Sequence, residues 1–101
     1  MSSSLRRTPA MIDILQRLLA AEHPLWGLQL SAATGRPTGT VYPLLERLEQ
    51  AGFVSSTWES ENDRPGPRRR LYALTPPGRR WATEQCSAST AGRSAPRAAT
   101  A

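Results

Sequence analysis

The sequence predicts a mostly helical α+β domain with the layout of a winged helix-turn-helix: three helices, a two-stranded wing and a short C-terminal helix. Apolar residues recur with helical spacing over residues 11–19 and 41–48. Two strand-like runs follow at residues 53–59 and 69–74, and the polar loop between them is interrupted by Pro and Gly. A helix followed by a basic hairpin is typical of this fold, so these two features together support the prediction.

The first two helices are predicted from their end signals. Thr8 is a suitable N-cap and Pro9 suits the first helical position, so helix 1 begins there. It should end before the short extended segment 23–26, because that segment contains a proline, which a helix interior does not tolerate. A second short helix is predicted over residues 27–34, and Gly35 fits its C-terminal end.

Helix 3 is the most informative part of the chain. Thr38 is predicted to cap it and Gly52 to close it. Its first turn holds only small residues, so a phosphate or a base edge can approach the exposed N–H groups. Pro43 breaks a local rule, because proline inside a helix costs about 3 kcal/mol. This indicates a functional constraint on the outer face, and a simple packing bend is the alternative. The predicted buried stripe consists of Val41, Leu44, Leu45 and Leu48.

The positive charge of the chain is concentrated in its C-terminal part. The net charge is +5 at pH 7; residues 1–63 hold five Arg and seven acidic residues, whereas residues 64–101 hold eight Arg and one acidic residue. We expect the Arg cluster of the wing to contact DNA phosphates, and a solvated loop is the alternative. This cluster consists of Arg64, Arg68, Arg69 and Arg70.

Residue counts argue against several other functions. The chain has one Cys, Cys86, and one His, His23, so we expect neither an internal disulfide nor a metal site. No paired carboxylates, Ser/His/Asp arrangement or phosphate-cradling loop is recognisable, so we expect no enzyme, no catalytic residue and no cofactor. No apolar run has the length of a membrane helix and no signal peptide is recognisable, so we expect a cytoplasmic protein that does not bind membranes.

The chain has the length of one small domain. We expect a flexible N-terminal arm over residues 1–7, followed by a winged-helix domain with a short C-terminal dimerisation helix over residues 8–86. Thr75 and Pro76 repeat the cap signal of helix 1, so helix 4 should begin there. A disordered tail is predicted over residues 87–101, because its Ala, Ser, Thr, Arg and Pro show no periodicity.

Several motifs in this chain occur together in one known family. They are Gly27 after an aromatic residue, the block GTVYPLLERLE at residues 39–49, Gly52-Phe53-Val54, Trp58-Glu59, the Arg-rich wing, RLYALT at residues 70–75, and Gly78-Arg79. With these motifs, the chain resembles the PadR family of winged-helix transcriptional regulators from Thr8 to about Thr83.

The resemblance implies a homodimer that binds double-stranded DNA sequence-specifically, usually as a repressor, and that a small molecule can release. The residues assigned to DNA contact are Arg36, Thr38, Gly39, Thr40, Tyr42, Pro43, Arg47, Arg64, Arg68, Arg69 and Arg70. The residues expected to contact the second subunit are Leu5, Ile12 and Trp81. Family members usually have a longer C-terminal helix, whereas only about ten residues after Pro76 have a helical pattern here.

Two other functions remain open from the sequence. The chain can be a protein-interaction module whose Arg hairpin binds an acidic partner, or a non-specific DNA-coating protein that uses its Arg-bearing tail. A small aromatic effector is a further expected partner. Its site would be lined by Trp26, Trp58 and Trp81. For Trp26 and Trp58 we expect packing in the core, with the effector site as the alternative, whereas Trp81 is expected to be more open.

Overall fold

The computed structural model describes residues 7–59 and 69–98, with side chains as far as residue 88 in the last helix. Predictions for Leu5, Arg64 and Arg68, for the arm up to residue 6 and for residues 99–101 lie outside the described residues. The described part holds helices α1 (Pro9–Ala20), α2 (Gly27–Thr34), α3 (Thr38–Gln50) and α4 (Pro76–Ala98), and strands β1 (Leu25–Trp26), β2 (Val54–Trp58) and β3 (Arg70–Leu74).

The sheet has three antiparallel strands in the order β1-β3-β2. The β2–β3 hairpin was predicted, and its register pairs Val54 with Leu74 and Trp58 with Arg70. The third strand was not predicted: β1 pairs Leu25 with Tyr72 along the other edge of β3. Two residues are too few to show strand alternation, so only the pairing with β3 identifies β1 as a strand.

The helix starts follow the predicted cap signals, with one shift. The Met11 amide donates to Oγ1 of Thr8 over 3.2 Å, which confirms Thr8 as the cap of α1. In α3 the cap is Pro37, whose carbonyl oxygen accepts from the Thr40 amide over 2.9 Å. Thr38 is therefore the first helical residue and not the cap, because the extended backbone that a cap needs lies at the preceding proline.

The core lies between α1, α2, α3 and the sheet. Within α3 the predicted stripe is confirmed: Val41, Leu45 and Leu48 are fully buried, and Leu44 is partly buried against them. The buried side chains from the other elements are Met11, Ile14, Leu15, Leu18, Leu30, Val54, Tyr72 and Ala82. This arrangement leaves the opposite face of α3 in solvent, as a winged helix-turn-helix requires.

Helix α4 is longer than predicted. Its backbone is helical from Pro76 to Ala98, whereas a helix of about ten residues after Pro76 and a tail over residues 87–101 were expected. Alanine, which has the highest helix propensity, recurs through this stretch and favours extension, whereas Gly92 and Pro96 within it disfavour a helix. None of the described helices combines the length and the apolar character needed to cross a lipid bilayer.

Helix α4 begins in close contact with the start of the wing. The Thr75 amide donates to the Phe53 carbonyl over 3.0 Å, and a Cβ at Gly78 would overlap that same carbonyl group. One turn later, the ring of Trp81 stacks on Phe53 with 4.5 Å between centroids. Gly78 is therefore explained by packing, because only a residue without a Cβ allows this approach.

Candidate nucleic-acid interface

The outer face of α3 is the first part of the candidate interface. Gly39, Tyr42, Pro43 and Arg47 are exposed, and Thr38 and Thr40 on either side of Gly39 are half-buried. Helix α3 begins with exposed or half-exposed small residues, and the N–H groups of Thr38 and Gly39 precede the first helical hydrogen bond, which Thr40 donates to Pro37. An N-terminus of this kind attracts anions, because the helix dipole adds to the free N–H groups.

Gly39 has no explanation within the described fold. Its φ angle is not in the left-handed region, which among the described glycines is found at Gly35 and Gly52. Apart from its two chain neighbours and the nearby backbone of α3, no described atom lies within 4 Å of the position that a Cβ would take, so packing does not exclude a side chain there. Glycine also weakens a helix relative to alanine. The space in front of Gly39 is therefore open to a partner outside the chain.

Pro43 lies inside α3, on the same exposed face as Gly39. Proline has no N–H group, so the Gly39 carbonyl, four residues earlier, lacks its usual helical donor. The helix nevertheless runs without a break to Gln50. Pro43 thus removes one backbone hydrogen bond from the outer face of α3 without interrupting the helix.

Tyr42 is held by the backbone of α2. A Cβ at Gly27 would overlap the Tyr42 ring, so the ring packs directly on the glycine backbone. The Tyr42 side chain is still 39% exposed, which leaves part of it available to a partner. Gly27 was singled out only as part of a motif, and the structure supplies its physical reason: a side chain at this position would displace Tyr42.

Arg36 is paired within the protein. Its Nε and Nη2 both donate to Oδ2 of Asp13 in α1, over 2.9 and 2.8 Å. The ion pair ties the turn before α3 to α1 and partly neutralises the charge that was assigned to DNA contact. Asp13 had no predicted role, because no local pattern links residues that lie 23 positions apart.

The base of the wing holds the two described arginines of the cluster, and each lies on an aromatic ring. The Arg69 guanidinium lies over Trp26, 3.7 Å from the ring centroid, and that of Arg70 lies 5.1 Å from the centroid of Trp58. Arg70 also approaches Glu49 of α3, with 3.9 Å between Nη2 and Oε2. The positive charge of the wing base is thus partly directed into the protein.

A polar contact joins α3 to the wing. The Ser56 hydroxyl of β2 donates to Oε2 of Glu49 over 2.6 Å, on the same carboxylate that Arg70 approaches. Burial raises the pKa of the Tyr72 hydroxyl beside this group, and the neighbouring Arg70 opposes that rise. Glu49 therefore holds β2 against α3.

Two of the residues predicted for dimerisation differ in their exposure: Ile12 is buried and Trp81 is partly exposed. Ile12 is only 5% exposed within the single chain, which leaves little of this side chain for a second subunit to contact, and its dimer contact stays a prediction. A single-sequence pattern cannot separate a helix face covered by α4 from one covered by another subunit. Trp81 stacks on Phe53 and remains partly exposed.

The three tryptophans have different surroundings. Trp26 lies beneath Arg69 and Trp81 beside Phe53, and both are partly buried. Trp58 is 57% exposed, so core packing is the wrong interpretation for this residue.

Burial raises the pKa of the Cys86 thiol, which makes it less reactive. Among the described side chains, no three His, Cys, Asp or Glu residues come together as a metal site.

Comparison with known proteins places the chain among regulators. Residues 14–84 match the transcriptional regulator PadR-like family. The structure is similar to a PadR-like transcription factor from Bacteroides fragilis, with 26% sequence identity, a TM-score of 0.62 and 90% of each chain covered. Among curated proteins, no sequence matches the chain.

Two structures of MepR from Staphylococcus aureus, a transcription regulator of the multidrug efflux pump MepA, share the fold. One has 23% identity and a TM-score of 0.64, and the match covers 79% of this chain and 56% of MepR. The other, a MepR–DNA complex, has 24% identity and a TM-score of 0.61, over 83% of this chain and 62% of MepR. The chain therefore spans less than two-thirds of the MepR length.

Proposed function

The chain belongs to the PadR-like family of transcriptional regulators, which are not enzymes, and we propose that it is a cytoplasmic repressor that binds double-stranded DNA sequence-specifically as a homodimer. The observation that carries this proposal is the outer face of α3. There an exposed Gly39 with open space in front of it lies in a first turn of small residues. A recognition helix enters the major groove by its N-terminal half, and these features fit such an approach.

The side chains on this face can contact different parts of the DNA. Thr38 and Thr40 can donate to phosphate oxygens or contact thymine methyl groups, and the Gly39 backbone lets the helix come close. Arg47 is the exposed cation farther along the same helix, where it can reach a guanine or a flanking phosphate. Arg64 and Arg68 of the wing complete the proposed contact with the phosphate backbone.

The homodimer is supported by the length of α4. This helix has 23 residues against 12 in α1, the helix that it packs on, so part of α4 extends beyond its partner within the chain. A second subunit can cover that part, together with the exposed portion of Trp81. Two subunits would place their α3 helices in successive major grooves about 34–36 Å apart.

Release by a small aromatic molecule completes the proposal. Trp81 supports it, because its ring already stacks on Phe53 and is partly open to solvent. An aromatic compound that quenches tryptophan emission and releases bound DNA would support this step. Quenching without release would assign the compound to a site unrelated to regulation.

The experiment that tests the proposal is a protection footprint on the DNA upstream of the protein's own gene, at near-physiological salt. A protected site with two-fold symmetry would support a dimeric, sequence-specific regulator. Uniform protection would favour a DNA-coating protein instead. Absent protection by folded protein would favour a protein-interaction module, and competition by an acidic protein would then be measured.

A further inference from the structure

Arg69 occupies an unusual place for a wing arginine. The central carbon of its guanidinium lies over the Trp26 ring, 3.7 Å from the ring centroid. Its Nε is buried and has no hydrogen-bond partner among the described residues. A phosphate ligand is expected to present its N–H groups to solvent, whereas this edge of Arg69 faces the protein.

The backbone of Arg69 is also held in place. The Glu59 amide donates to the Arg69 carbonyl over 2.7 Å, and the Arg69 amide donates to Oε1 of Glu59 over 2.9 Å. These two bonds close the hairpin at the mouth of the wing loop. Because the backbone is fixed there, the side chain cannot move toward DNA without leaving the Trp26 ring.

Trp26 connects this contact to the recognition helix. It lies in β1 next to Gly27, whose backbone supports the Tyr42 ring of α3. Gln29 accepts from the Trp26 amide over 3.0 Å, which fixes the junction of β1 and α2. Arg69 therefore holds the wing against the Trp26-Gly27 segment, which also supports the Tyr42 ring of α3.

We infer that Arg69 is a positioning residue: it clamps the base of the wing onto Trp26 and does not bind phosphate. The inference rests on the proposed DNA binding, because it states how one wing arginine serves that function. It also corrects the sequence-based assignment of Arg69 to phosphate contact. The charge of Arg69 is used inside the protein, where the face of an indole ring attracts a cation.

The test is the salt dependence of DNA binding by Arg69→Gln. A lost phosphate contact reduces the slope of log K against log[salt] by about 0.9, or roughly 2 for a dimer. We expect a weaker complex with an unchanged slope, because the wing is misplaced while all phosphate ligands remain. Arg47→Gln is the matched control, since it removes an exposed arginine and should reduce the slope. A reduced slope for Arg69→Gln would overturn the inference.

Two further measurements complete the test: one keeps the charge at residue 69 constant, and the other uses the free protein without DNA. Arg69→Lys keeps the charge but lacks the planar guanidinium, so we expect it to bind DNA about as weakly as Arg69→Gln; wild-type affinity would overturn the inference. In the free protein, Arg69→Gln should change tryptophan emission, and the change should disappear in a Trp26→Phe background. Unchanged emission would overturn the clamp itself. If wild-type protein binds no DNA, the proposed function fails, while the emission experiment still decides the clamp.

Discussion

Gly39→Ala should stabilise the fold and weaken DNA binding at the same time. The methyl group would enter open space, because no described atom outside the adjoining backbone of α3 and the two chain neighbours lies within 4 Å of the Cβ position. Alanine also restricts the unfolded chain more than glycine does and favours the helical backbone. In the free protein the substitution therefore has no packing cost to set against this gain.

The size of both effects follows from the position of Gly39. Replacing a mid-helix glycine by alanine gains about 0.5–1 kcal/mol, and we take the lower value because Gly39 is the second residue of α3. For a domain of this size, a gain of about 0.5 kcal/mol raises the melting temperature by roughly 2–4 °C. A methyl group forced into a close-packed contact with DNA costs about 1–3 kcal/mol. Every 1.4 kcal/mol of this cost lowers the affinity roughly tenfold.

The assay pairs thermal unfolding with DNA titration of the same protein samples. Protein concentration is held constant, because the melting temperature of a dimer depends on it. Gln50→Ala is the matched control, since this residue is exposed at the other end of α3 and should leave affinity unchanged. If Gly39→Ala binds the operator as tightly as the wild type, no partner comes close to Gly39 and the proposed approach is refuted. A fall in melting temperature would instead refute the argument that the position is open.

Three further substitutions test other parts of the structure. Gly78→Ala should lower the free energy of unfolding by about 1–3 kcal/mol, because a Cβ would overlap the Phe53 carbonyl; urea unfolding measures this. Arg36→Ala should lower it by less than about 1 kcal/mol, because its ion pair with Asp13 is partly exposed; a larger loss would show that the turn depends on it. Arg47→Ala should weaken binding to the specific site by about 1–3 kcal/mol and binding to random DNA much less. Equal losses of affinity for the two DNAs in competition assays would exclude base contact by Arg47.

Local signals predicted most of the fold. Thr8 as a cap, Gly35 as a helix end and the apolar stripe of α3 depend on neighbours within a few residues, so one sequence displays them. The cap of α3 was misplaced by one residue, because Thr38 and Pro37 both fit a helix start. Strand β1 was missed for a different reason: Leu25 and Trp26 form a strand only through their pairing with β3.

The candidate site was predictable in its position but not in its contacts. The exposed face of α3 follows from helical periodicity, and small residues at 38–40 were visible in the sequence. The contacts of Arg36 with Asp13 and of Ser56 with Glu49 were not predictable, because each joins two separate elements. Packing therefore decides which charged residues stay available to a partner.

The contacts that arginines make within the protein change what the arginine cluster implies about DNA affinity. Apart from Arg36, which pairs with Asp13, the arginines assigned to DNA from the sequence are Arg47 and the four of the wing. These five cations per subunit would give a dimer that used all ten a salt slope of about −9. In the structure Arg69 lies on Trp26, and Arg70 approaches a carboxylate and a second indole ring. Three cations then remain per subunit, for a slope near −5. Arg69 holds the wing base against Trp26 of β1 and Arg70 holds it against Glu49 of α3, so we expect the arginine count alone to overestimate the electrostatic part of DNA binding.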